Sequence, residues 1–261
     1  MSKLSGWKVV CLAVAVVALS LSAAKFVRAD SFSEQAAKLD ILGVHLGMTP
    51  AQAKSALAQY RKDMRWNEVK GDLGIQEGQF LAYASEQSAI GDVVSIVFSP
   101  PPGDPNVLAI DRTLSFGRSH APTAENLTNS LSGKFGQPSY NSHNGEGYQE
   151  FVWSWDKTGQ ISKANGSIID QTYSEVESTP SSSNSSSRIQ TLQQDNDPGC
   201  AIAVQAVIYS NNGVASQLRM KLFDVHDALR AAIAADNYVK QVEQARKEGE
   251  LKKAGANKPS L

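Results

Sequence analysis

The amino-acid sequence predicts an α+β protein built from two similar units, each a helix packed on an antiparallel sheet, followed by a C-terminal helix. Three observations carry that prediction. The run Thr49-Pro50-Ala51-Gln52 can form a capping box, and the helical pattern it opens is followed by strand-sized segments with alternating apolar residues. The same order starts again at Pro122-Thr123-Ala124. After the last hairpin, a helical apolar stripe begins at Asp224. The units span residues 36–118 and 119–223, and 224–261 form the final helix and tail.

Ahead of the first unit, Lys3 and Lys8 precede an apolar run from Val9 to Ala24, and Val27-Arg28-Ala29 offers a site of the kind a signal peptidase reads. The run is about 16 residues, short of the ~20 that a membrane-spanning helix needs. Residues 1–29 therefore read as a signal peptide cleaved near Ala29, giving a periplasmic or secreted protein with no stable membrane anchor. About 230 residues then remain, enough for one large domain or two small ones. A hydrophobic fraction of 41% with 20% charged residues marks an ordinary globular chain. The formal net charge of -1 gives no broad positive field to hold a phosphate backbone, which sets nucleic acid aside as a partner.

Each element has a local cause. Pro50 occupies the first helical position, where its missing N–H costs nothing, and Ala53, Ala56, Leu57 and Tyr60 share one face of the helix. Strands are predicted over Met64 to Lys70, Gln79 to Ser85, Asp92 to Ser99 and Val107 to Phe116, forming a meander. Val94, Ile96 and Phe98 alternate, as do Leu108, Ile110 and Leu114, and Pro100-Pro101-Pro102-Gly103 makes a stiff connector between these last two strands. In the second unit Leu127, Leu131 and Phe135 fall at helical spacing, and Gly136 and Pro138 stop the helix. A strand follows over Tyr148 to Asp156, then a hairpin of Ala201 to Ser210 and Val214 to Phe223 around Asn211-Asn212-Gly213. Ile96-Val97-Phe98-Ser99 and Val207-Ile208-Tyr209-Ser210 stand at matching places, which suggests a diverged duplication. The serine-rich stretch 175–196 is too poor in apolar residues to pack and reads as a flexible insertion. In the last helix Val225, Leu229, Ala232 and Ile233 dock the first turns, and the polar remainder projects.

At Gly47-Met48-Thr49-Pro50-Ala51-Gln52-Ala53, and at Phe135-Gly136-Gln137-Pro138, the chain resembles the small envelope proteins of the BamE/SmpA outer-membrane assembly family. It is also similar to the wider group of helix-plus-sheet modules that includes the tandem β-lactamase inhibitor proteins. The chain departs from the first in lacking a lipid-anchoring cysteine and from the second in lacking paired cysteines. The resemblance implies a noncatalytic envelope module that binds another protein.

The search for chemistry returns little. His45, His120, His143 and His226 show no zinc-site spacing, and Asp195-Asn196-Asp197-Pro198-Gly199 lacks the closing glutamate of a calcium loop, so no metal or other cofactor is expected. There is no Gly-x-Ser-x-Gly elbow, and Gly71, Gly74 and Gly78 lack the strand-to-helix setting of a dinucleotide site. Cys200 stands alone once Cys11 leaves with the leader, and reads as a buried apolar side chain. The candidate partner-binding residues are the aromatic stripe Phe151, Trp153 and Trp155 and a second pair, Trp66 and Tyr83, against the alternative that both pack in the core. The reading is a noncatalytic, non-enzymatic binding or assembly module for another envelope protein. Its alternatives are an inhibitor of an envelope enzyme and a hydrolase with a dispersed site.

Overall fold

The capping box closes as the sequence predicts. In this computed structural model, which describes residues 38–62, 65–75, 78–87, 91–144, 147–162, 166–178, 185–196 and 200–256, Thr49 caps helix α1, Pro50–Tyr60. Its backbone N–H donates to Gln52 Oε1 at 2.9 Å. The expected leader, and Asp197-Pro198-Gly199 of the calcium-like run, lie outside the described residues.

A short hairpin, β1 (Asp40–Ile41) with β2 (Val44–His45), precedes α1. Four strands follow as the predicted antiparallel meander: β3 (Arg65–Asp72), β4 (Gln79–Gln87), β5 (Asp92–Phe98) and β6 (Val107–Ser115). Helix α2 (Ala124–Phe135) is capped by Thr123 and stopped at Gly136, whose φ of 81° is the left-handed conformation that suits glycine. After it come β7 (Tyr140–His143), β8 (Tyr148–Trp155), α3 (Gly166–Glu177), α4 (Ser185–Asn196), β9 (Ile202–Asn211), β10 (Val214–Asp224) and α5 (Val225–Ala256). Asn212 and Gly213, with φ of 50° and 75°, make the β9–β10 turn where the sequence places it.

The class is α+β with an antiparallel sheet, as predicted. The first half supplies α1 followed by four strands; the second supplies α2, two strands, the helices α3 and α4, and two further strands, and both sets, eight strands in all, enter a single sheet of order β3-β4-β5-β6-β10-β9-β8-β7. The halves meet where β6 pairs with β10. The two matched tetrapeptides fall on the third strand of each set, β5 and β9, but out of register. Ile96 pairs with Ile110 on the face under α1 and α2, whereas Val207 pairs with Glu150 and Arg219 on the opposite face. A one-residue slip exchanges faces, so the two tetrapeptides do not occupy equivalent positions and the local match does not support the expected duplication.

Helices cover both faces. On the front, α1 and α2 pack over Val94, Ile96, Ile110, Leu218, Leu222, Val204 and Trp153. On the rear, α3, α4 and α5 pack over Val97, Ala109, Phe223, Ala203 and Val152. The register shift between Val97 and Phe98 turns Leu108 to the rear, out of the alternation read from Leu108, Ile110 and Leu114.

Two corrections concern the second half. The predicted flexible insertion 175–196 contains the end of α3 and all of α4, because Ile189 and the fully buried Leu192 suffice to dock α4, and buried Arg188 donates from Nε to the Glu175 carbonyl at 2.7 Å. The edge strand β7 has no apolar alternation to announce it, since Tyr-Asn-Ser-His is polar along its length. The first turns of α5 dock and 244–255 are exposed, as predicted, but the docking face is Val225, Ala228, Ala232 and Ala235 with Leu229 partly buried. Ile233, predicted to dock, is exposed because it lies about a third of a turn from that face.

Candidate functional site

The rear helices cover only half of the sheet. Antiparallel register sets the rear-facing residues in rows across it. One row runs Val69, Tyr83, Val97, Ala109, Phe223 and Ala203; the next runs Asn67, Ser85, Ser95, Asp111, Lys221 and Gln205; the third runs Arg65, Gln87, Val93, Thr113, Arg219 and Val207. From β6 towards β8 these rows are roofed by α3 and α5. Over β3 and β4 they are open, with Val69 at 38% and Tyr83 at 39% exposure and Arg65, Asn67 and Gln87 exposed beside them. At the far end of the sheet the rear face opens again at Tyr209, 38% exposed, whose ring meets that of Tyr148 edge-on at 5.8 Å.

A layer of paired charges marks where the open surface passes beneath α3. Arg219 donates to Asp111 Oδ2 from Nη2 at 2.7 Å and from Nε at 3.1 Å, with its own side chain 45% exposed. Burial alone would lower the Arg219 guanidinium, but the hydrogen bond and charge of Asp111 hold it above its ordinary range. Buried Lys221 reaches up to Asp170 of α3 at 2.5 Å and lies 4.6 Å from the centroid of the Tyr173 ring. Deeper still, Gln205 Nε2 donates to buried Glu150 Oε1 at 2.6 Å. Desolvation, and the charge of Glu150 second, push the Tyr148 hydroxyl up to about 12. Arg219 with Asp111 and Gln205 with Glu150 tie neighbouring strands together, and Lys221 with Asp170 holds α3 against the sheet. None of them is an unpartnered acid or base facing a cavity.

The sequence-predicted residues divide between the two faces. Phe151, Trp153 and Trp155 do share a face, but it is the front one, beneath α2. Trp153 is 2% exposed, stacks on Phe135 at 5.3 Å and donates from Nε1 to the Gly136 carbonyl at 3.0 Å. Trp155 is buried and Phe151 half-buried. The stripe is core, which removes the tryptophans as surface contacts; alternation identifies a shared face but not what covers it. Trp66 and Tyr83 do not form a pair. Val69 stands opposite Tyr83 and Trp66 is three residues away along β3, so Trp66 turns to the front, where Lys54 Nζ lies 5.6 Å from its ring centroid. Of the five residues, Tyr83 is the one on the open rear face. Sequence reasoning missed Arg65, Arg219 and Tyr209; the signal that could have found them is the cross-strand register, which no single strand displays.

Among the described residues, no three His, Cys, Asp or Glu side chains are grouped to hold a metal ion, and Cys200 is buried. No described helix is long and apolar enough to cross a membrane. No family model, curated protein or solved structure matches the chain.

Proposed function

We propose that the chain is an exported, noncatalytic module that binds another envelope protein on the open part of its rear sheet face. The observation that carries this reading is the half-roofed sheet: Tyr83 stands exposed on the open strands at one end, and Tyr209 and Arg219 stand exposed where the rear face opens again beyond the helices. Tyrosine and arginine are the side chains that supply most energy at protein interfaces, and a sheet positions them without the entropy cost of ordering a loop. Two ion pairs lie on this face, Arg219 with Asp111 and Lys221 with Asp170, an arrangement that suits recognition. Export rests on the leader read at residues 1–29.

The test is site-specific photo-crosslinking in cells, with the photoreactive residue at position 83, at 209, or at the exposed Gln59 of α1. The expected result is one discrete adduct shared by positions 83 and 209 and absent from 59. The isolated partner then binds the Tyr83→Ala/Tyr209→Ala double variant at least tenfold more weakly, about 1.4 kcal/mol. Adducts of equal yield from all three positions, or none from 83 and 209, would overturn the reading.

A further inference from the structure

The front face carries a second feature that partner binding on the rear does not use. Beside the first turns of α2, the end of the sheet forms a cleft of about 370 Å³ whose lining includes Glu125, Thr128, Asn141, His143, Gln149 and Phe151. Asn141 pairs with Phe151 and His143 with Gln149, so these four side chains stand together on the front of β7 and β8. Thr128 Oγ1 donates to the Ala124 carbonyl at 3.0 Å and lies 3.3 Å from Gln149 Oε1, which places the hydroxyl beside the glutamine amide in the wall of the cleft. Phe151 is half-buried, backed by Trp153 at 6.1 Å.

The two ends of the sheet differ in a way that solvent exposure alone does not require. Edge strand β3 is guarded by Arg65, Glu68, Lys70 and Asp72, the usual protection of an open edge. Edge strand β7 carries no Lys, Arg, Asp or Glu, and the described polar groups around its cleft are two amides, two hydroxyls, an imidazole and one carboxylate. Amides and hydroxyls both donate and accept, which matches the hydroxyl groups of a sugar, while a half-buried aromatic wall matches the apolar C–H face of a pyranose ring. Among the described residues no Lys or Arg lines the cleft and one carboxylate does, which disfavours a phosphate or other anion. We propose that this cleft is a binding site for a neutral saccharide unit, free or within a glycan.

The experiment is titration of the isotopically labelled protein, followed by NMR, with three probes: an N-acetylglucosamine tetramer, maltotetraose and inorganic phosphate. The expected result is saturable shifts centred on the backbone of Asn141, His143 and Gln149 for at least one sugar and none for phosphate. Asn141→Ala, on the exposed edge, should weaken that binding at least tenfold with an unchanged melting temperature. Insoluble glycan then distinguishes the source: co-sedimentation that the free tetramer competes away places the unit within a polymer, and tetramer binding without co-sedimentation identifies a free sugar. No saturable shift for either sugar, or an affinity unaltered in Asn141→Ala, overturns the proposal. Because the cleft and the rear surface lie on opposite faces, loss of one activity leaves the other measurable.

Discussion

Gly166 shows how one missing methyl group shapes this molecule. A Cβ built there would lie 2.0 Å from Glu150 Oε1 and 2.4 Å from Glu150 Cδ, far inside contact distance. A carboxylate at the end of a flexible side chain ordinarily swings aside. Glu150 is 7% exposed and tied to Gln205 at 2.6 Å, so it would have to break that hydrogen bond or push α3 away from the sheet. Gly166→Ala is therefore expected to destabilise the protein by about 1–3 kcal/mol, the usual penalty of overpacking, read as a lower urea midpoint. An unchanged midpoint would mean that Glu150 is free to move and that the polar layer does not anchor α3. Little at this scale was legible beforehand. The glycine stands in a stretch without periodic signal, and its partner is brought to it by the packing of a helix on a sheet. Tyr83 reads from sequence as an aromatic on a strand, yet what makes it a surface residue is that none of the described helices lies above it, a property of its neighbours and not of its own strand.

Elements were more readable than residues because their ends carry local chemistry. The Thr49 cap, Pro50 at the first position, the Gly136 stop and the Asn212-Gly213 turn all act within a few residues of chain, and each stands where the sequence indicated it. The elements that were missed lack such marks. Helix α4 draws on Ile189, Leu192 and the buried stem of Arg188 in an otherwise polar run, so its stability comes from docking, which composition does not record. The capping box makes the contrast testable. Thr49→Ala removes the side-chain acceptor for the Gln52 N–H and is expected to cost about 1 kcal/mol, measured by chemical unfolding, because Ala53 and Leu57 bind α1 to the core and its fraying is felt globally. Thr49→Ser should retain most of that stability. If serine loses as much as alanine, the threonine acts through its methyl group and the cap is incidental.

At the scale of the whole molecule, the rear layer hangs on the junction between the central strand β10 and the long helix α5, and that junction holds Asp224. Its Oδ1 accepts from the Asp227 N–H at 2.7 Å, the position of a helix cap, while Val225 N donates to the Ala201 carbonyl at 2.8 Å and ties the corner to β9. Asp224 is 3% exposed. Burial, and the charge of Asp227 second, outweigh the stabilising backbone bonds from Asp227 and His226 and the charge of Arg230, and push the carboxyl up to about 7 from an ordinary 3.8. The folded protein thus holds this proton more tightly than the unfolded chain. The stability it contributes is complete below the unfolded pKa near 4 and is lost as pH rises through 7. Between pH 8 and pH 5 the gain on acidification should be on the order of 2 kcal/mol from this group, and other carboxylates will add slopes of their own. Asp224→Asn isolates it, since asparagine keeps a capping oxygen and has no charge to bury. Urea unfolding of both proteins from pH 5 to pH 8 should show the variant more stable than the wild type at pH 8, with the difference closing as pH falls towards 5. Parallel curves would show that Asp224 has the same proton affinity folded and unfolded, and the corner would then be held by its backbone hydrogen bonds and the apolar face of α5 alone.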